Sequence, residues 1–142
     1  MKLAQIFLSV FVLIALSACA SSQYAGKVIP GSVGRPITVD ANDDRINSTD
    51  GMAGLTVTLY NEKQQGRPAL QIAQTMTDDE GHFRFKIKSS DTPRGAVVIR
   101  VAGEGIYSAR AKTYLPRDDQ FMLFSVVTRE PTLDQPAFDP EK

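Results

Sequence analysis

The 142-residue chain has no tryptophan, one cysteine and one histidine, and its 16 basic and 16 acidic side chains cancel. Each shortage removes a class of function. A lone cysteine cannot close an intrachain disulfide, so the fold must rely on its core. One histidine and one cysteine fall short of a zinc ligand set. Balanced charge leaves no phosphate-binding footprint, so no nucleic-acid partner is expected. No stretch of ten residues keeps a convincing helical apolar period. The greasiest run, Leu3–Ala18, is shorter than the about 20 residues a membrane-spanning helix requires.

That run is the first positive signal. Lys2 supplies a positive start, Ile6–Ile14 the apolar centre, and small residues follow. This is the order of a secretory signal. Leu16-Ser17-Ala18-Cys19 then resembles the lipobox of bacterial lipoproteins. The resemblance implies a diacylglyceryl group on the Cys19 thiol, cleavage before Cys19, and acylation of the new amine. It assigns Cys19 as the lipidation residue and the membrane as a partner. One acyl chain binds a bilayer only marginally, whereas several hold stably. Residue 20 is alanine. In enteric-type bacteria aspartate there retains a lipoprotein in the inner membrane, so the resemblance implies an outer-membrane location. Removal of residues 1–18 leaves 124 residues, enough for one domain.

Beyond Cys19 the pattern is that of strands. Ala20–Gly26 is small and polar and reads as a tether. A first strand is expected within Lys27–Pro36, and Arg35–Asp40 looks extended. Leu55–Tyr60 alternates apolar and polar, as does His82–Lys88, with Phe83, Phe85 and Ile87 inward. Ala69–Thr77 reads as a strand with Leu70, Ile72 and Met76 on one face. Ala96–Ala102 is more continuously apolar than the other strands and reads as central; Ile106–Leu115 and Phe121–Thr128 complete the set. Asp78-Asp79-Glu80-Gly81 is a turn. The expected fold is all-β, an antiparallel sandwich of about seven strands.

Two stretches carry a family resemblance. Gly54-Leu55-Thr56-Val57-Thr58-Leu59-Tyr60 and Thr77-Asp78-Asp79-Glu80-Gly81-His82-Phe83-Arg84-Phe85 resemble the pattern of carboxypeptidase-regulatory-like, transthyretin-like and Cna-B-like domains. The likeness spans roughly residues 36–128. It implies a transthyretin-like sandwich used as a stalk, adaptor or binding module. The expected organisation is a signal peptide at 1–18, a lipidated tether at 19–27, the sandwich at 28–129, and a disordered Pro-rich acidic tail at 130–142.

Candidate sites are few. Asp40, Asn42 and Asp44 alternate, Ile46 follows, and Asp50 lies ten residues after Asp40. The stretch resembles a calcium loop of surface-protein B domains. It implies side-chain ligands at Asp40, Asn42, Asp44 and Asp50 and a carbonyl ligand at Ile46. Arg45 and Gly51 depart from that pattern, standing where a turn glycine and a bidentate glutamate belong. Calcium is thus the one cofactor in play, and the alternative is a solvated acidic loop. Some transthyretin-like proteins hydrolyse hydroxyisourate with several histidines and a Tyr-Arg-Gly-Ser motif. This chain has only His82 and no such motif, so no catalytic residue is assigned and His82 reads as a solvated strand residue. Tyr60, Tyr107 and Tyr114 are alternatives as an aromatic platform or as edge packing, and Arg84, Lys86 and Lys88 form an outward basic row. The expected function is a non-enzymatic accessory with an envelope protein partner, in a secretion, pilus or surface-polymer apparatus. A glycan-binding or calcium-stabilised adhesion module is the first alternative, and an enzyme of unknown type the last.

Overall fold

The computed structural model describes residues 20–32, 36–62 and 68–130. These form eight strands: β1 Ser21–Pro30, β2 Pro36–Asp40, β3 Thr56–Asn61, β4 Gln71–Met76, β5 His82–Lys88, β6 Val97–Ala102, β7 Ala109–Thr113 and β8 Gln120–Val126. One short helix, α1 (Asp44–Asn47), lies between β2 and β3. The strands make two four-stranded sheets, ordered β2-β8-β1-β5 and β4-β3-β6-β7. The protein is a β-sandwich, as the alternating strands lead one to expect. Cys19 and the expected signal and tail segments lie outside the described residues.

Alternation decides what lies between the sheets. From the first sheet come Val28, Phe83, Phe85, Ile87, Phe124 and Val126; from the second come Val57, Leu59, Val97, Ile99 and Val101. All are buried. Burial of each such side chain contributes roughly 1.5–3 kcal/mol. Phe83 and Phe85 meet edge to face with ring centres 5.5 Å apart, a preferred aromatic geometry.

Three expectations need correction. Ser21–Lys27 is no tether: it is most of β1, paired antiparallel with β5 from Ser21↔Lys88 to Lys27↔His82. Tyr24 packs against the core from this strand, and Gly26 is small because the Phe83 ring already fills the space. A Cβ on Gly26 would stand 2.4 Å from Phe83 Cζ. The sandwich is also not wholly antiparallel, since β1 and β8 run parallel from Gly26↔Met122 to Pro30↔Val126. Finally, Leu70 and Met76 do not face the core but are 66% and 61% exposed. The β3–β4 register shifts between Leu59 and Tyr60, and Ala73 and Thr75 stand opposite Leu59 and Val57. A bulge of this kind changes which residues point inward.

The registers also define two ends. At the entry end lie Ala20, the Ser89–Ala96 connection, Asn61 with Leu70, and the segment that follows Thr113. At the far end lie Gly51–Leu55, the Thr77–Gly81 turn and the Ile106–Thr128 bridge.

Candidate functional site

The outer face of the first sheet is partly covered, and there the chemistry concentrates. Val39 and Leu123 point outward from β2 and β8, and Ile46 of α1 closes over them with Ile29 and Phe121 alongside. Asp43 caps α1, its carboxylate accepting from the Arg45 backbone N–H at 3.0 Å. The Arg45 guanidinium holds the same carboxylate at 2.9 Å and 2.7 Å. That ion pair, then the backbone hydrogen bond, lowers the Asp43 pKa from 3.8 to about 2. The sign follows directly: a depressed folded-state pKa stabilises above the unfolded value and is lost as pH falls through the folded one. The turn should therefore hold at pH 4 and loosen toward pH 2. Amide exchange at Arg45 measured across that range checks this, and Asp43→Asn should abolish the pH dependence.

Beneath α1 lies Lys27, wholly buried. Its ammonium donates to the carbonyl of Ile46 at 3.2 Å, to the Ser48 carbonyl, and to Ser48 Oγ at 3.3 Å. Three oxygens match the three N–H donors of an ammonium. His82, opposite Lys27 on β5, brings its Nε2 to 2.9 Å from the same Ile46 oxygen. His82 is therefore not simply solvated: one ring nitrogen holds α1, and the other lies 3.6 Å from Glu80 and 3.8 Å from Asp78.

The residues expected to hold calcium are placed as follows. Asp40, Asn42, Asp44 and Asp50 are exposed, and Ile46 is buried. The Ile46 carbonyl is occupied by the Lys27 ammonium. Asp44 opens α1, and Asp50 lines a separate cleft with Arg45, Ser48 and Met52. Among the described residues no three His, Cys, Asp or Glu side chains converge as a metal site. Position 51 cannot supply a glutamate, because a Cβ there would meet the Glu80 carbonyl oxygen at 1.6 Å. The cation in this loop is the lysine's own.

Two open clefts lie near these residues. One, of about 410 Å³, lies between α1 and the far end, against Ile29, Pro30 and Thr128. The other, of about 480 Å³, is lined by Met76, Asp78, His82, Arg84 and Phe121. Arg84, Lys86 and Lys88 are exposed along β5, as expected of a protected sheet edge. The tyrosines do not form one platform. Tyr107 lies at the far end under the Arg129 guanidinium, 5.1 Å from its ring centre, and Tyr60 lies under Arg110 at 5.9 Å. Tyr114 follows β7 at the entry end.

The sequence reading missed Lys27. Its only signal was that Lys27 alternates with Ile29 on a strand whose other face is core, so an outward residue could still be covered. Two of its three partners are backbone carbonyls 19 and 21 residues away, which leave no mark in the sequence.

No protein-family model and no curated protein matches the chain. A search of solved structures finds the shaft pilin SpaA from Lactobacillus rhamnosus GG, at 14% identity and a TM-score of 0.42. That alignment covers 80% of this chain and 52% of the pilin, so it spans about half of the pilin's length.

Proposed function

We propose that this protein is a bacterial lipoprotein: a transthyretin-like sandwich fixed to the outer membrane through Cys19, acting as a non-catalytic accessory in an envelope assembly. The observation that carries the reading is Leu16-Ser17-Ala18-Cys19 placed directly after a charged start and an apolar run. A thiol nucleophile behind small residues is the chemistry that lipid transfer and cleavage require. The family pattern fits the strands. Gly54, at φ +70, turns the chain into β3, and Gly81, at φ +81, turns it into β5. The commitment of His82 Nε2 to the Ile46 carbonyl supports a structural use of that ring.

The test is metabolic labelling with an alkyne-bearing fatty acid, compared between wild type and Cys19→Ala, followed by detergent-phase partition. Wild type should carry label, begin at residue 19 by mass, and enter the detergent phase. Cys19→Ala should lose all three properties. Unlabelled wild type in the aqueous phase would overturn the reading. For the assembly role, a tagged wild-type chain should recover a defined set of envelope proteins from solubilised membranes, and Cys19→Ala should not. Recovery of no reproducible partner would remove the accessory role while leaving the anchor intact.

A further inference from the structure

If Cys19 carries lipid, its distance from the folded domain decides how the domain meets the bilayer. The sequence between Cys19 and the sandwich reads as a tether, and a tether would let the domain tumble. The structure has none. The Ala20 carbonyl accepts from the Ser89 backbone N–H at 3.1 Å and from Ser89 Oγ at 2.8 Å. Ser21 is already in register with Lys88. Cys19 is one peptide bond away, so its Cα lies about 3.8 Å from that of Ala20. Acyl chains on Cys19 would leave the molecule at the rim of the sandwich, with no slack.

That rim is not an ordinary polar surface. Tyr114 and Leu70, 68% and 66% exposed, are the two most exposed large apolar side chains among the described residues. Both stand at the entry end: Tyr114 follows β7, and Leu70 precedes β4, its carbonyl bonded to Asn61 N–H. At the far end Tyr107, 55% exposed, carries the Arg129 guanidinium over its ring. No cation covers the Tyr114 ring among the described residues. Around them Lys88, Arg94 and Arg117 face solvent, as do Asp91, Asp118 and Asp119. Among these described residues the charges balance, and apolar insertion is what favours contact. A tyrosine suits that place, since its ring is apolar and its hydroxyl stays wet.

We propose that the entry end of the sandwich rests directly on the phospholipid surface, with Tyr114 and Leu70 in the headgroup layer, and that the far end with its clefts points away from the membrane. This rests on the lipoprotein reading and extends it: the anchor sets an orientation as well as an address.

The absence of tryptophan makes the test clean. Lipidated full-length Tyr114→Trp and Tyr107→Trp each carry one indole, and each is placed in vesicles whose acyl chains are brominated. Tyr114→Trp should be quenched at least threefold more than Tyr107→Trp. A second pair guards against a folding defect. Leu70→Trp and Met76→Trp stand at opposite ends of β4, about 20 Å apart at the usual strand rise. Leu70→Trp should be the quenched member. Equal quenching within both pairs, in protein that carries acyl mass and floats with the vesicles, overturns the orientation alone. Protein that neither floats nor carries acyl mass overturns the anchor, and the orientation with it.

Discussion

Lys27→Ala should destabilise the protein by about 2–4 kcal/mol and should release α1 from the sheet. Two losses add. The stem is wholly buried, and truncating a buried chain of that length leaves a cavity. The Ser48 carbonyl also loses a donor, whereas the Ile46 carbonyl keeps His82. A term of opposite sign limits the total, because a buried ammonium is itself costly to strip of water. Lys27→Met separates these contributions. It keeps most of the stem and removes only the donors, so about 1–2 kcal/mol of loss is expected. Amide exchange should rise at Ile46–Thr49 in both variants, while the β3–β6 pairing should keep its protection. A Lys27→Met protein with wild-type stability and unchanged exchange would show that the three oxygens do not depend on the ammonium.

This lysine also marks how far the sequence could be read. Strands with strict alternation were legible residue by residue: His82–Lys88 shows its inward phenylalanines plainly and is β5 as read. Val97–Ala102, apolar but for Arg100, lies between β3 and β7, as a central strand should. The first part of β1, Ser21–Gly26, was not legible, although a strand was expected from Lys27 onward. Phe83 stands opposite Gly26 and leaves no room for a Cβ there, Tyr24 is the one large apolar residue of Ser21–Gly26, and so small and polar a strand looks like a linker. The calcium pattern failed to assemble for a related reason. Its spacing describes which oxygens a loop can offer, but not that Asp40, Asn42, Asp44 and Asp50 stay exposed without converging while Lys27 takes the Ile46 carbonyl.

The same loop ends at Gly51, and Gly51→Ala should cost about 3–4 kcal/mol or prevent folding. A Cβ there would stand 1.6 Å from the Glu80 carbonyl oxygen and 2.3 Å from its carbon. Both are backbone atoms, so no side chain can rotate away. The Asp78–Gly81 turn would have to move, and it cannot move alone. Val28 N–H donates to the Gly81 carbonyl and Met52 N–H donates to the Val28 carbonyl, each at 2.9 Å. Separating Gly51 from Glu80 therefore pulls on β1 at Val28, which is at the centre of the core. Two controls isolate the cause. Gly95→Ala meets nothing within 4 Å and should change stability by less than about 0.5 kcal/mol. Gly54→Ala also meets open space, but at φ +70, and should cost about 1–2 kcal/mol from backbone strain alone. Chemical denaturation of the three variants gives the ranking. If Gly51→Ala unfolded no more readily than Gly54→Ala, the contact between the Gly51 segment and the Glu80 turn would not be the constraint that seats α1 and the far end on the sheet.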